Sequence, residues 1–401
     1  MKLIPELRFP EFEKDGEWSE RILGDIADSE SSSLALNKIE LREEGYSVYG
    51  ADSVVGYIDE YSQEDKYISI VKDGSGVGRL NLCEPKSSIL GTLAYIKSKD
   101  KKEFILDWIY YLMNTINFNS YKKGSGIPHI YYSDFKIEPV GVPKPKEQQK
   151  IASCLSSLDE LIAAHNDKLD ALKDHKKGLL QNLFPQEGET VPKVRFPEFA
   201  GDGEWEIRSV EQNIDLISGI ALKSKELSDN NSGTPILRGI NITEGQIRHS
   251  DEMDKFYLGD TSEMEKYLIQ ENDIVIGMDG SKVGKNVALI SEQDAGAILI
   301  QRVARIRAIN SDVRYLYQHF FSNVFRRYVD NVNTSSGIPH ISAKQIRDFE
   351  IGFPPKIEEQ QKIASCLSAV DELISAQQEK IEQLQKHKKG LMQGLFPKIK
   401  S

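Results

Sequence analysis

Two glycine-rich turns in the sequence carry residue types that suit contact with a phosphate group. Residues 73–79 read Asp-Gly-Ser-Gly-Val-Gly-Arg, and residues 279–285 read Asp-Gly-Ser-Lys-Val-Gly-Lys, 206 positions later. Exposed backbone N–H groups and cationic side chains are what proteins place against a nucleic-acid backbone. An ordinary hairpin turn is the alternative. The candidate side chains in and just before these turns are Lys72, Ser75, Arg79, Ser281, Lys282 and Lys285.

Neither turn fits a nucleotide-binding loop. Gly280 and Gly284 are four positions apart and Asn286 follows the lysine, so the GxxxxGK[ST] spacing of a P-loop fails. A dinucleotide fingerprint would need a surrounding βαβ unit of ~30 residues, which the sequence lacks. The turns therefore indicate binding of a phosphate backbone, or no ligand at all.

Arginine, asparagine and tyrosine side chains elsewhere could contact bases. Arginine and asparagine read guanine and adenine edges with two hydrogen bonds. Alternation along the β-like run 301–307 is expected to place three arginines on one face, with a solvated basic strand face as the alternative. Most tyrosines of the first half fit a half-buried sheet. These candidates are Arg302, Arg305, Arg307, Arg238, Asn241, Tyr46 and Tyr49.

The elements that position these residues occur twice. Arg-Phe-Pro-Glu-Phe at 8–12 recurs at 195–199, Ser-Gly-Ile-Pro-His-Ile at 125–130 recurs at 336–341, and residues 147–185 recur at 359–397. The last pair is identical at 26 of 39 positions. The offset between copies grows from 187 to 211, so the second copy carries 24 extra residues where the copies barely align. Near-identical blocks suit one shared partner, and diverged blocks suit two different targets.

The near-identical blocks predict two long helices. Their apolar residues alternate at spacings of four and three over about five heptads, which is typical of a coiled coil. His165 and Lys176 interrupt the first seam at the positions where Gln377 and Lys388 interrupt the second. We expect the seams to pack on each other antiparallel within the chain, with a homodimer through either seam as the alternative. The seam residues are Ile151, Leu155, Leu158, Ile162, Leu169, Leu172, Ile363, Leu367, Val370, Ile374, Ile381 and Leu384.

The diverged blocks predict small α+β domains. Each has short β-like runs between turn signals and ends in an aromatic, helical stretch, near 104–118 and 313–328. The predicted organisation is a recognition domain at 1–146, a long helix at 147–185, a second recognition domain at 186–358 and a second long helix at 359–397. The fold class is α+β with internal duplication.

Composition and missing motifs exclude several classes of protein. Three cysteines without a CxxC motif provide neither a disulfide framework nor a zinc site, and no metal site is expected. No apolar run is long enough for a membrane span and no signal peptide is evident, so a cytoplasmic protein is expected. No [N/D]PP[Y/F], HExxH, GxSxG or Walker motif is present. The chain is therefore expected to bind rather than to catalyse.

The net charge of −11 argues against a nucleic-acid partner at first sight. By segment it is −5 for 1–146, −3 for 147–190, −5 for 191–358 and +2 for 359–401. Neither recognition block is basic, so any DNA contact must use local faces, with partner subunits supplying neutralising charge.

Taken together, these motifs resemble the specificity subunit of type I restriction-modification systems. The resemblance rests on Gly-Ile-Pro-His-Ile, then Glu-Gln-Gln-Lys-Ile-Ala, then a long helix that closes on Lys-Lys-Gly-Leu and Leu-Phe-Pro, all present twice. Tyr49-Gly50 followed by Gly56-Tyr57 also resembles the start of such recognition domains.

The resemblance implies two target-recognition domains held apart by two antiparallel helices. Each domain would read one half of a bipartite, asymmetric site in double-stranded DNA. The helices would recruit two modification subunits, which methylate adenine N6 with S-adenosylmethionine. Restriction subunits would cut unmethylated DNA with ATP and Mg²⁺, and this chain itself would hold no cofactor. The alternatives are a methyltransferase fused into the chain, against which the missing motif counts, and a coiled-coil scaffold with two protein-binding heads.

Overall fold

The structure, a computed structural model, describes residues 3–124, 126–333 and 339–398. In the repeated Ser-Gly-Ile-Pro-His-Ile motif, Ser125 and residues 336–338 lie outside the described residues. Packing groups the chain into two compact units, and the boundaries between them fall inside the two long helices. Unit 1 is Met1–Lys168 with Gln377–Ser401, and unit 2 is Leu169–Ala376. The domain boundaries expected from the sequence stay a prediction.

The strands of unit 1 form three small sheets. A four-stranded antiparallel sheet has the order β2-β8-β5-β6, a three-stranded sheet has the order β4-β3-β7, and β1 pairs with β9. The strands are β1 (Ser19–Ile22), β2 (Ala27–Ser31), β3 (Tyr46–Tyr49), β4 (Val54–Ile58), β5 (Tyr67–Val71), β6 (Leu80–Cys83), β7 (Ser88–Ile89), β8 (Leu93–Ser98) and β9 (Pro139–Val142).

Unit 2 repeats this topology. Its sheets have the orders β11-β17-β14-β15 and β13-β12-β16, and β10 pairs with β18. Each three-stranded sheet contains one parallel pair of strands. Val48 is the register partner of Ser88 in unit 1, and Ile236 is the register partner of Ile298 in unit 2. The strands are β10 (Glu206–Ser209), β11 (Ile214–Ser218), β12 (Thr234–Leu237), β13 (Lys255–Tyr257), β14 (Ile274–Gly277), β15 (Val287–Leu289), β16 (Ile298–Leu299), β17 (Val303–Ala308) and β18 (Glu350–Phe353).

Most of the extra length of the second copy lies between β12 and β14. Equivalent residues are 188 positions apart at β3 and β12, where Val48 matches Ile236, but 206 apart at the glycine turns. Eighteen of the 24 extra residues are therefore inserted there. The inserted segment contains two of the predicted base-reading residues, Arg238 and Asn241.

Two helices of 39 residues each dominate the helical part, and both lack an internal proline. Within unit 1 the N-terminal part of the first long helix packs against the C-terminal part of the second. The Gln377 side chain of the second helix donates to the His165 ring and carbonyl of the first at 2.7 Å. The predicted α+β duplication with antiparallel long helices is confirmed. The helices are α1 (Leu23–Ile26), α2 (Leu106–Met113), α3 (Tyr132–Phe135), α4 (Pro145–Leu183), α5 (Val313–Phe320), α6 (Asn323–Val332), α7 (Ala343–Arg347) and α8 (Ile357–Leu395).

Each unit has its own hydrophobic core, and each core includes the Phe-Pro end of a long helix. In unit 1, Phe396 beyond α8 packs on Trp18 and Trp108, with ring centroids 6.3 and 6.5 Å away. In unit 2, Phe184 beyond α4 packs on Trp205 and Tyr315, at 6.4 and 5.6 Å. The aromatic stretches predicted from the sequence are therefore the helices α2 and α5 that hold these ends.

Within residues 3–124, 126–333 and 339–398, no helix combines the length and the apolar character needed to cross a bilayer.

Candidate nucleic-acid interface

The two glycine turns adopt the same backbone conformation. Gly74 and Gly78 have φ of 99° and 89°, and Gly280 and Gly284 have φ of 98° and 77°. A left-handed backbone favours glycine. Space adds a second requirement, because a Cβ atom at Gly78 would lie 2.6 Å from the Cβ of Phe118. The pattern seen in the sequence thus marks one turn built twice.

Each turn leaves two neighbouring backbone N–H groups free. In unit 1 the Val77 N–H donates to the Gly74 carbonyl at 3.2 Å, while those of Ser75 and Gly76 have no acceptor among the described residues. In unit 2 the Val283 N–H donates to the Gly280 carbonyl at 3.1 Å, and those of Ser281 and Lys282 are equally without an acceptor there. Successive free N–H groups in a turn form a concavity that suits an anion.

The Pro-His-Ile motif joins the turn in both units. The Gly74 N–H donates to the Pro128 carbonyl at 2.9 Å, and the Ile130 N–H donates to the Lys72 carbonyl at 2.9 Å. The sequence shows this motif as a repeat and does not reveal its pairing with the turn. Its repetition was a signal, but only the fold shows what it contacts.

Unit 2 has the same pairing. There the Gly280 N–H donates to the Pro339 carbonyl at 3.0 Å and the Ile341 N–H to the Met278 carbonyl at 2.9 Å, while the His340 ring contacts the Asp279 carboxylate. We call the surface formed by 73–79 with 128–130, and by 279–285 with 339–341, the shared edge.

Cationic side chains lie on or next to the shared edge. Lys282 and Lys285 are exposed, and neither has a carboxylate within ion-pair distance among the described residues; the same holds for the half-buried Lys72 and the exposed Lys122 near the edge in unit 1. Arg79 forms an ion pair with Asp52, and half of its side chain is exposed. Of the predicted residues, Ser75 and Ser281 are exposed at the tips of the turns. The structure thus brings all six turn candidates to this edge.

The expectation that Arg302, Arg305 and Arg307 share one exposed strand face is wrong. Arg302 precedes β17 with φ of 68°, is 71% exposed and lies 3.1 Å from Asp279. The Arg305 side chain is only 4% exposed and donates to Asp215 at 2.8 Å. Arg305 lies on the same face of β17 as Val303, and that face is covered by a hydrophobic cluster that includes Val275 and Leu237.

Arg307 is also committed to an internal contact. Its guanidinium forms two hydrogen bonds, of 2.7 and 2.8 Å, with the buried carboxylate of Asp273, and this contact raises the pKa of Arg307. An arginine that neutralises a buried carboxylate stabilises the fold, since the carboxylate alone would be costly to bury. Among these three arginines Arg302 is the most exposed, and its one ion pair is with Asp279.

The expectation for Asn241 and Arg238 is corrected as well. Asn241 is 1% exposed; its side chain accepts from the Arg238 N–H at 3.2 Å and donates to the Arg248 carbonyl and to Asp254, at 3.2 and 3.1 Å. It therefore fastens the inserted loop. The half-buried Arg238 donates to the Met253 carbonyl in the same loop.

The tyrosine candidates are half-buried sheet residues. Tyr46 and Tyr61 pack edge to face, with ring centroids 4.7 Å apart. The Tyr49 hydroxyl accepts from the Glu84 N–H at 3.4 Å, and burial raises the pKa of Tyr49. The rings of Tyr46 and Tyr49 remain partly exposed on β3. DNA contact by these two tyrosines stays a prediction.

Two of the polar interruptions of the helix seams, Lys176 and Lys388, contact the recognition domains, since their ammonium groups lie 5.1 and 5.5 Å from the ring centroids of Phe321 and Tyr111. In unit 2 the Lys176 ammonium lies 2.6 Å from Asp371, and Asp371 also accepts from the Gln318 amide of α5 at 2.8 Å. The sequence shows Lys176 only as a polar interruption of the seam. Together with Asp371 of α8 and Gln318 of α5, Lys176 of α4 forms a junction of three helices that the sequence did not predict.

Unit 1 has the equivalent junction. Lys388 pairs with Asp159, and the Tyr111 hydroxyl of α2 donates to Asp159 at 2.8 Å. Burial and the neighbouring carboxylate raise the pKa of Tyr111, so its hydroxyl keeps its proton. Asp159 and Asp371 are equivalent residues, 212 positions apart.

We expect Tyr111→Phe to lower the free energy of unfolding of unit 1 by about 1 kcal/mol, because one hydrogen bond to a half-buried carboxylate is lost. Denaturation followed by tryptophan fluorescence, with hydrogen exchange of α4, measures this loss. Tyr131→Phe, which alters an exposed ring 53% accessible to solvent, is the control. Equal stability of the two variants would contradict the junction.

Histidine, cysteine, aspartate and glutamate are the side chains that could hold a metal ion in this protein. Among the residues that the structure describes, no group of three or more histidine, cysteine, aspartate or glutamate side chains is arranged to hold a metal ion.

Comparisons with known proteins agree with this duplicated architecture. The family model of the type I restriction modification DNA specificity domain matches residues 15–174 and again residues 202–386. Over 335 residues the chain is 28% identical to the type I restriction enzyme MjaVIII specificity subunit of Methanocaldococcus jannaschii. This match covers 81% of this chain and 77% of that protein. The chain is 24% identical over 365 residues to the putative type I restriction enzyme MjaX specificity subunit of the same organism, covering 84% and 81%.

A solved structure has the same fold. The crystal structure of the type I restriction-modification system S subunit from M. genitalium superposes with a TM-score of 0.70 over 99% of this chain and 100% of that one, at 16% identity. A structure from a study of complex assembly and conformational transition in the type I system superposes with a TM-score of 0.51 over 95% and 97%, at 14% identity. At these identities the likeness shows the fold alone.

Proposed function

Since the chain belongs to the type I restriction-modification DNA specificity family, we propose that each of its units carries one recognition domain that reads one half of a bipartite, asymmetric site in double-stranded DNA. Specificity subunits recognise DNA sequence and are the non-catalytic members of type I restriction enzymes. The observation that carries the proposal is the repeated sheet topology of the two units, whose sequences diverge between the repeated motifs. One scaffold with two different surfaces suits two different half-sites.

We propose further that the long helices recruit two modification subunits, the adenine-N6 methyltransferases. Support comes from residues that are both exposed and identical in the two helices. Burial explains an identical seam residue, but it does not explain an identical residue that faces solvent. The exposed residues common to both include Gln149, Lys150, Ser153, Glu160, Leu161 and Ala164 in the first part of α4, and Gln361, Lys362, Ser365, Glu372, Leu373 and Ala376 in the first part of α8.

Two leucines stand out on this face. Leu161 is 44% exposed in unit 1 and Leu373 is 56% exposed in unit 2. Exposed apolar side chains at equivalent places suit two copies of one protein partner, because each copy would bury the same leucine.

The predicted stoichiometry provides a test of recruitment. Leu161→Glu or Leu373→Glu alone is expected to leave one modification subunit bound, and the double variant none, because each substitution places a charge in one apolar contact. Sedimentation of the co-expressed complex measures the number bound. Ala171→Glu introduces the same charge at an exposed position that differs between the helices, and is the control. Two subunits bound to the double variant would contradict the assignment.

DNA recognition is tested with the full chain and its modification subunit on duplex DNA of mixed sequence, over a range of salt concentrations. Retardation that weakens with salt is expected, and much tighter binding in the complex than by the chain alone, since the chain carries a net charge of −11. No sequence-specific binding under either condition would favour a scaffold with two protein-binding heads.

The remaining chemistry is assigned to partner subunits. We propose that modification subunits hold S-adenosylmethionine and that restriction subunits, where present, use ATP and Mg²⁺, in an assembly that acts on cytoplasmic DNA. This chain then contributes the choice of sequence.

A further inference from the structure

We infer that the shared edge binds the sugar-phosphate backbone of DNA in the same manner in both units, independently of the base sequence that each unit reads. The inference rests on the proposed function, because it requires that both units contact DNA. It assigns a task to the Pro-His-Ile motif and separates the residues that hold the duplex from those that select bases.

Packing does not explain every residue that is identical in the two glycine turns. Val77 and Val283 are buried at equivalent places, and glycine is required at 78 and 284, so these identities follow from the fold. Ser75 and Ser281 are exposed at the tips of the turns, and no side-chain contact within the described residues accounts for serine at both. An exposed residue kept in two otherwise diverged domains indicates a ligand common to both.

A ligand common to both units must be the same at both half-sites. Two domains that read different bases need different side chains at the base edges, whereas the phosphate backbone is the same at every half-site. In both units the shared edge presents two backbone N–H groups that find no acceptor within residues 3–124, 126–333 and 339–398, from Ser75 and Gly76 and from Ser281 and Lys282. Backbone donors of this kind contact phosphate oxygens and carry no sequence information.

The charge of the shared edge in unit 2 differs from that of the recognition block around it. The recognition block 191–358 carries 20 basic and 25 acidic residues, a net charge of −5. At its shared edge the balance is reversed, since residues 279–285 and 339–341 with the adjoining Arg302 contain three cationic side chains, Lys282, Lys285 and Arg302, and one carboxylate, Asp279, which pairs with Arg302. A cationic surface with a polar backbone suits DNA better than a protein partner, whose interface would have an apolar centre.

Arg302 marks where the common surface ends. The strand registers place Leu93 and Val303 at equivalent positions, so Arg302 corresponds to Thr92 in unit 1. This difference places Arg302 among the residues available for base selection. Lys285 belongs to the common surface because its counterpart in unit 1 is Arg79, whereas Lys282 corresponds to Gly76 and adds a cation in unit 2 alone.

The experiment compares two double variants of the full chain, each in complex with its modification subunit. Lys282→Ala with Lys285→Ala removes two cations from the shared edge. Lys193→Ala with Lys225→Ala removes two exposed cations elsewhere in unit 2 and is the matched control. Binding is measured by fluorescence anisotropy on a duplex that contains the methylated motif and on a duplex of unrelated sequence, from low to high salt.

The edge variant is expected to weaken binding to both duplexes by the same factor and to reduce the slope of log K against log salt by about 2, as expected for two lost phosphate contacts. Its methylated motif, read from genomic N6-methyladenine, should be that of the original chain. The control should change neither the slope nor the motif.

Three results would overturn the inference. A changed second half-site would mean that the edge reads bases. Unchanged DNA binding together with loss of the modification subunit would mean that it binds protein. A slope equal to that of the control would mean that the edge does not touch the backbone. In each case sequence-specific binding by the original complex would leave the proposed function standing, and its absence would remove both.

Discussion

Replacement of residues 191–358 by the corresponding block of another specificity subunit is expected to change one half of the methylated DNA motif completely and to leave the other half intact. The physical reason is that unit 2 forms its own core, with its own sheets and its own copy of the turn, so its surface can change without affecting the core of unit 1. Genomic mapping of N6-methyladenine in cells that carry the chimera and the modification subunit measures the outcome.

The structure adds two conditions for such a chimera. The incoming block must supply an arginine at position 195, because Glu359 of the retained helix is buried against it. It must also supply a hydrogen-bond donor at position 318, which contacts Asp371. A chimera with Leu at position 318 is the matched control, since it lacks only that donor. Simultaneous change of both half-sites by a well-folded chimera would contradict independent recognition.

Arg195→Met is expected to lower the free energy of unfolding of unit 2 by about 3–5 kcal/mol, the usual cost of leaving one member of a buried ion pair. The Arg195 guanidinium donates twice to Glu359, both at 2.7 Å, and the carboxylate side chain is 1% exposed. These hydrogen bonds raise the pKa of Arg195. Without the arginine, the charge of Glu359 is buried in the first turn of α8, and the helix dipole offsets only part of its cost.

The first copy provides an internal comparison. Arg8 donates to Glu147 twice at 2.8 Å, but there the Trp18 indole N–H also donates to Glu147 at 3.2 Å. Arg8→Met in unit 1 is therefore expected to cost about 1 kcal/mol less than Arg195→Met in unit 2, the contribution of one retained hydrogen bond.

Denaturation of both variants, followed by tryptophan fluorescence and hydrogen exchange of α4 and α8, measures this difference. Lys356→Met breaks a surface pair with Asp202 and should change stability by less than about 1 kcal/mol. Arg195→Met with Glu359→Leu should recover most of the loss, since no charge then stays buried. A loss for Arg195→Met no larger than that for Lys356→Met would show that the pair is not structurally important.

Local spacing of residues in the sequence is enough to predict part of this structure. The heptad pattern around Leu155 and Leu367 fixes two long helices, because a repeat of four and three residues places one apolar face along a helix. The positive φ of Gly74 and Gly280 follows from the repeated turn, since glycine adopts that conformation at the least cost. The duplication of motifs predicted the duplication of the fold.

Tertiary structure alone decided which residues meet. Arg305 looks like an exposed strand residue in the sequence, but the face of β17 that it shares with Val303 is packed against a hydrophobic cluster, whereas Arg302, just outside the strand, is exposed. The glycine turn and the Pro-His-Ile motif are about 50 residues apart in the chain and join only when the sheet forms. The sequence divides the chain before each long helix, yet packing combines the start of α4 with the end of α8, because burial of side chains depends on distance in space and not on order along the chain.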